Sequence, residues 1–191
     1  MRIGLLGSGV VGQALDEGYQ RHGHETRIGN RDTFVEVAEW AELSVLAVAG
    51  SAAEKVAEQV NAASAGKVLI DATNPLDFSS GGPQLSLGFD DSLGERVQRA
   101  APDARVVKAY NIIGNAAMVD PSFDGGPPTM LIAGNDEGAK ATVTQLLEST
   151  GWDTADLGGI ESSRYLEPIA LAWIVYGFRT GGWNHAFKLL R

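Results

Sequence analysis

A chain of 191 residues, 44% of them hydrophobic, can fill one core, or one domain with a small appendage, but not two full domains. Its net charge of -9 argues against a nucleic-acid partner or an anionic membrane surface, since either needs a basic face to neutralise phosphates. With no cysteine, disulfides, thiolate metal sites and cysteine nucleophiles are excluded, and a reducing compartment is permitted.

In chain order, short apolar runs alternate with amphipathic stretches, the pattern of βα units around a mostly parallel, doubly wound sheet. Strands are predicted at residues 2–6, 25–28, 44–48, 67–70, 105–109, 129–133 and 153–157, with helices between them. The chain opens on a strand, with no charged-then-apolar leader and no run of about 18 apolar residues, so no membrane partner and a cytoplasmic location are expected.

The first strand runs into Gly7-Ser8-Gly9-Val10-Val11-Gly12 and then a helix whose apolar positions recur as Val11, Leu15, Tyr19 and Val10, Ala14, Gly18. A G-x-G-x-x-G alone is weak, but between a strand and a helix it reads as a dinucleotide fingerprint. Gly7 serves the tight turn, Gly9 the approach of backbone to pyrophosphate, and Gly12 the close packing of helix on strand. The phosphates then meet free N–H groups at the helix start. His22 and His24 flank Gly23 at the far end of this helix, where a cation suits the dipole and glycine suits the cap.

Which dinucleotide is bound is decided at the end of the second strand, Arg27-Ile28-Gly29-Asn30-Arg31-Asp32. NAD enzymes place an acidic side chain on the ribose there. Here the first residues off the strand are Gly29 and Asn30, followed by Arg31, whose guanidinium can clamp a 2′-phosphate, so NADP(H) is expected. A shift of one residue in register would put Asp32 on the ribose and favour NAD.

Ser51-Ala52-Ala53-Glu54 offers a capping serine for the helix after the third strand, and Ser92 with Glu95 repeats the spacing. Residues 74–90 and 120–128, rich in Gly, Pro, Ser and Asp, are predicted loops. From Glu161 the chain turns helical and aromatic. The expected layout is a dinucleotide-binding domain over residues 1–160 and a short C-terminal helical segment over 161–191, packed on that domain or at a homodimer interface.

Further polar residues follow predicted strands, where ligands of doubly wound sheets bind. Asn74 precedes Pro75 and is either a ligand contact or a turn asparagine bonded to its own backbone. Asn111 is a candidate substrate contact, and Lys108 either joins the site or covers the sheet edge. His185 lies in the aromatic tail, either at the surface or pointing into an acceptor pocket. No His, Glu and Asp spacing suggests a metal, and no acid–base dyad stands out, although a proton donor could be supplied by Tyr110, Lys108 or His185.

In combination, residues 3–12, Gly29-Asn30-Arg31, the run from Val68 through Asp71, Thr73, Asn74 and Pro75 to Leu76, Val106-Val107-Lys108-Ala109-Tyr110-Asn111, and Met130 to Ala133 with Gly134-Asn135-Asp136 carry a resemblance. The chain resembles the NADP-dependent reductases of the deazaflavin coenzyme F-420, and the dinucleotide domain of STEAP-type ferric reductases is similar to both. The resemblance implies a Rossmann-like domain that brings NADPH against a flat acceptor ring, often as a dimer. It implies that Ser8, Val10 and Val11 contact phosphates, Asn30 and Arg31 the 2′-phosphate, Ala49 and Gly50 the path from adenosine to nicotinamide, and Asn74 the nicotinamide end. Residues 161–191, with Glu167-Pro168 and Trp173, depart from that pattern, so the resemblance bears on the cofactor more than on the acceptor.

Hydride transfer between nicotinamide and a flavin-like ring needs chiefly two stacked rings, whereas reduction of a ketone or imine needs a positioned proton donor. The expected function is therefore transfer of hydride between NADP(H) and a small-molecule acceptor, coenzyme F-420 or a flavin such as FMN or FAD. A reductase of a small carbonyl or imine and a non-catalytic NADP(H) sensor are the alternatives.

Overall fold

The structure, a computed structural model, describes residues 1–191. The elements in chain order are β1 (Arg2–Leu6), α1 (Val10–Arg21), β2 (Glu25–Gly29), α2 (Phe34–Trp40), β3 (Leu43–Leu46), α3 (Gly50–Val60) and β4 (Val68–Asp71). A small hairpin of β5 (Leu76–Asp77) and β6 (Gln84–Leu85) comes next, then α4 (Leu93–Ala100), β7 (Arg105–Lys108), β8 (Thr129–Gly134), α5 (Glu137–Ser149), β9 (Asp153–Asp156) and α6 (Ser163–Thr180).

The sheet has seven strands in the order β2-β1-β3-β4-β7-β8-β9. The first five are mutually parallel, and β8 pairs antiparallel to β7, with Val107 opposite Gly134. A parallel neighbour needs a crossover helix, and between β7 and β8 the chain supplies only a 3-10 turn at Asn115–Ala117, so β8 returns the other way. The α5 helix does provide a crossover, and β9 lies parallel to β8.

Successive residues of the inner strands enter opposite cores. Leu5, Val45, Ile70 and Val107 pack on one face with Leu15, Tyr19 and Trp152, while Leu6, Leu46, Leu69 and Val106 pack on the other with Phe34, Val56 and Val97. Side chains alternate along a strand, so burial on both faces makes these strands read as continuous apolar runs.

Helix starts divide into capped and open. Ser92 caps α4: its hydroxyl accepts from the Glu95 N–H at 3.2 Å and donates to the Glu95 carboxylate at 2.7 Å, as their spacing predicts. Ser51 does not cap α3. That helix begins at Gly50 with Ala49 in the cap position, two residues before Ser51, and the start carries no side-chain cap; Gly50 lies against the Asn74 carbonyl so closely that a Cβ would collide with it. The predicted loop at 74–90 holds the β5–β6 hairpin, tied at its base by Asp77, which accepts from Gln84 at 2.9 Å and from the Ser79 N–H at 2.9 Å.

Helix in the closing segment is confined to Ser163–Thr180 and stops at Gly181, which takes the left-handed conformation at φ 69°. Residues 181–191 fold back along β8, where the Thr129 N–H donates to the Phe187 carbonyl at 2.9 Å. Trp173 clamps this tail: its indole N–H donates to the His185 carbonyl at 2.7 Å, and the two rings stack at 4.6 Å.

Candidate functional site

The strand order reverses between β1 and β3, because β1 connects to β2 on one side and the chain then returns to place β3 on the other. Loops leaving the two strands diverge there and open a crevice at the carboxyl edge of the sheet, the usual ligand position in such folds. The cleft measures about 570 Å³ and collects Gly7, Ser8 and Gly9 from the first loop, Asn30 and Arg31 from the end of β2, and Ala49 from the loop after β3. Sequence reasoning missed its other wall, where Ala52, Lys55, Val56 and Gln59 form one stripe of α3. Their spacing of three, four and seven residues carried the signal.

The glycines sort by what a side chain would meet. A Cβ on Gly7 (φ 144°) would strike the Ala47 carbonyl, and one on Gly12 would strike the Gly7 carbonyl, so both are fixed by packing. A Cβ on Gly9 would meet nothing within 4 Å, leaving open space over the start of α1. That start has no side-chain cap and no acidic residue in its first turn, so the N–H groups of Val10, Val11 and Gly12 keep their positive end free. A pyrophosphate, the group implied by the fingerprint, fits this cradle. Val10 is exposed at the helix start, whereas the side chain of Val11 packs into the core, leaving its backbone as the part available to a ligand.

Charge decides what the far end of the cleft can hold. Its only charged lining residues are Arg31 and Lys55, and no carboxylate faces it. Asp32 lies on the exposed turn outside the lining, with its N–H donating to Asn30 Oδ1 at 2.9 Å. Asn30 thus commits its oxygen to its own turn, and its Nδ2 has no partner in the fold.

Asn74 and Asn111 lie further along the same sheet edge, outside this cleft, and bind each other. Asn74 Nδ2 donates to the Asn111 carbonyl at 2.8 Å, and Asn111 Nδ2 donates to Asn74 Oδ1 and to the Leu166 carbonyl, each at 3.1 Å. Asn74 is therefore not a turn asparagine closed on its own backbone. Gly50 backs directly onto it.

The three candidate proton donors are all engaged elsewhere. Lys108 does not cover a sheet edge, because β7 is an interior strand and the side chain is fully buried. Its ammonium spends its three donors on Asp71 at 2.9 Å, Glu167 at 3.0 Å and the Thr73 carbonyl at 2.7 Å. Burial by itself pushes the Lys108 pKa down, but the adjacent carboxylates of Asp71 and Glu167 outweigh it and hold the group above the ordinary lysine value. Tyr110 is buried in the core, where its hydroxyl accepts from Tyr19 at 2.8 Å, and desolvation leaves its pKa pushed up to about 12. His185 donates from Nε2 to the Trp173 carbonyl at 3.0 Å while its ring lies on Trp173. His22 and His24 sit at the end of α1, with His22 bonded to Asp120 at 2.6 Å and His24 edge-on to Tyr19.

Glu167, absent from the sequence-level candidates, also caps α4: its carboxylate accepts from the N–H groups of Leu93 at 3.1 Å and Gly94 at 3.0 Å. Asp71 accepts from the Thr73 N–H at 2.9 Å and its hydroxyl at 2.6 Å, which fixes the turn leading into Asn74. Nothing in the spacing of Asp71, Lys108 and Glu167 announces that they meet.

No protein-family model matches the chain. An F420-dependent NADP reductase of Methanothermobacter marburgensis is 32% identical over 202 residues, covering 88% of this chain and 89% of that protein. Metalloreductase STEAP3 of Rattus norvegicus is 28% identical over 188 residues, 89% of this chain but 36% of that protein. Among solved structures, a protein of Arthrobacter sp. FB24 to which an F420-dependent NADP reductase activity is ascribed superposes with a TM-score of 0.95 at 37% identity, with 100% of both chains covered.

The buried ion cluster makes a stability prediction. Lys108→Met strands two carboxylates without their cation and should lower the free energy of urea unfolding at neutral pH by about 3–5 kcal/mol. Because the folded-state pKa of Lys108 is raised, its contribution in the native protein is complete below 10.5 and is lost only as pH rises through the higher folded value. A change under about 1 kcal/mol, the scale of a solvent-exposed pair, would show that the cluster is not held as described.

Proposed function

Since the chain belongs to the family of F420-dependent NADP reductases, we propose that it transfers a hydride between NADP(H) and a deazaflavin of the coenzyme F-420 type. It is an NADP-dependent oxidoreductase. The observation that carries the cofactor reading is the crevice between β1 and β3, whose charged lining residues are cations only. When bound, the nicotinamide would exchange a hydride with the acceptor ring.

The chain's own contribution is binding and alignment. The turn from Gly7 to Gly12 holds the pyrophosphate on the start of α1, with Ser8, Val10 and Val11 at its surface. Arg31 and the free Nδ2 of Asn30 take the 2′-phosphate, and Ala49 and Gly50 line the path toward the nicotinamide. Asn74, locked to Asn111, would lie near the nicotinamide, and Asn111 would border the acceptor. The engagement of Lys108, Tyr110 and His185 in the fold supports a reaction in which no side chain delivers a proton, which favours a deazaflavin or flavin over a carbonyl or imine. FMN and FAD are the acceptors to compare.

Exposed rings on α6 support a homodimer. Tyr165, Tyr176 and Phe178 are 64%, 55% and 59% exposed, large apolar side chains of the kind that two copies bury against each other. Sedimentation at micromolar concentration should give twice the monomer mass, and a monomer there refutes it.

Arg31→Ala should weaken NADPH binding by about 1.5–3 kcal/mol, the scale of a charge-assisted hydrogen bond, and leave NADH nearly unchanged. Equal losses for both would remove Arg31 from the 2′-phosphate. In single-turnover oxidation of NADPH with the deazaflavin, Asn74→Ala should slow hydride transfer on the order of 10²-fold, because small displacements of stacked rings are costly. Tyr110→Phe and His185→Ala should each cost less than the ~10²-fold of a lost general acid. If either abolishes turnover while NADPH still binds, the carbonyl or imine reductase takes the place of this reading.

A further inference from the structure

The protein is acidic, with 24 Asp and Glu against 15 Lys and Arg, so a cation without a counter-charge is a rarity on its surface. Nine of the basic side chains hold carboxylates: Arg2, Arg21, Arg96, Arg99, Arg105, Lys108, Lys140, Arg164 and Arg191. Lys67 and Lys188 donate to backbone carbonyls, and Arg27 lies over the Trp40 ring at 4.3 Å. Only Arg31, Lys55 and Arg179 are left with no carboxylate, carbonyl or ring. Two of these three line the same cleft, Arg31 from the end of β2 and Lys55 from α3.

We infer that Lys55, on α3, is a second ligand of the 2′-phosphate and closes a two-sided cation clamp with Arg31. The inference rests on the NADP(H) reading above and extends it to a residue on a different element. The register of α3 supports it. Ala53, Val56, Ala57 and Val60 form the buried stripe of that helix, and Ala52, Lys55, Val56 and Gln59 form the adjoining stripe over the cleft. Lys55 is thereby held over the opening by a helix anchored in the core. Its neighbours Glu54 and Glu58 do not line the cleft and do not pair with it. A phosphate dianion carries enough charge for both cations, and the guanidinium and the ammonium approach it differently: Arg31 can bind two oxygens in a plane, Lys55 one as a point charge. Leaving two cations uncompensated across a cleft is unfavourable by mutual repulsion in the empty protein and favourable once an anion bridges them. Adenosine lacking the 2′-phosphate offers no such bridge, so the clamp discriminates NADPH from NADH.

Calorimetric titration of NADPH, NADH and 2′,5′-ADP into wild type, Lys55→Ala, Lys55→Arg, Arg31→Ala and the double variant tests the clamp. Lys55→Ala should weaken NADPH and 2′,5′-ADP by about tenfold or more and NADH by less than about twofold, and Lys55→Arg should retain most of the affinity. Because both side chains share one phosphate, the losses in Lys55→Ala and Arg31→Ala should not add in the double variant. Equal losses for NADPH and NADH in Lys55→Ala, or none for either, overturn the inference. If wild type does not prefer NADPH at all, the NADP(H) reading itself is wrong. If wild type prefers NADPH and Lys55→Ala keeps the full preference, the clamp alone is wrong. As Lys55 is exposed, its removal leaves the core intact.

Discussion

A single buried ammonium ties together the parts of this structure that would otherwise be free to drift. Lys108, at the end of β7, cannot be buried as a cation without compensation, and the fold provides it from two directions: Asp71 on the neighbouring strand β4 and Glu167 on α6. Glu167 in turn completes the start of α4, where a carboxylate satisfies two otherwise unpaired N–H groups and meets the positive end of the helix. Asp71 holds the turn that presents Asn74. The closing helix is therefore bonded into the sheet edge where the candidate site lies, and the site inherits the rigidity of that cluster.

Charge is partitioned with equal economy in the crevice between β1 and β3. An acidic surface repels a polyanionic ligand in general, and the cleft counters this locally through an uncapped helix start, two uncompensated cations and the absence of any lining carboxylate. Local field matters more than net charge here, because screening in salt limits the reach of distant surface carboxylates to about a Debye length of 8–10 Å. Apolar walls from Phe34, Val48 and Val56 complete the cleft.

The aromatic tail shows how one side chain can organise a segment without regular structure. Trp173 receives the returning chain through an indole hydrogen bond and a stacked imidazole, and residues 181–191 then join the start of β8 at Thr129, whose N–H donates to the Phe187 carbonyl and whose hydroxyl accepts from the Leu189 N–H. The start of β8 extends beyond its pairing with β7 at Ala133 and Gly134, and the backbone groups it would leave free on that side are partly covered in this way.

Elements and their order were legible in the sequence because they depend on local chemistry. Apolar runs mark strands buried on both faces, the glycine turn marks the first crossover, and Ser92 with Glu95 marks the start of α4. That the glycine turn and Arg31 lie on one cleft was legible for the same reason, since each lies within a few residues of a strand end. The direction of β8 was not, because it depends on a crossover the chain lacks. The start of α3 was not, because it falls at Ala49–Gly50 with no capping side chain to mark it, and the need for glycine there comes from the carbonyl of Asn74, 24 residues away. Least visible were the meetings of distant positions: Lys55 lining the same crevice as Arg31, Asn74 paired with Asn111, and Lys108 held between Asp71 and Glu167. Residue type states what a side chain can bond, but only the packing of helices on the twisted sheet decides which side chains come within reach, and burial then makes those bonds obligatory.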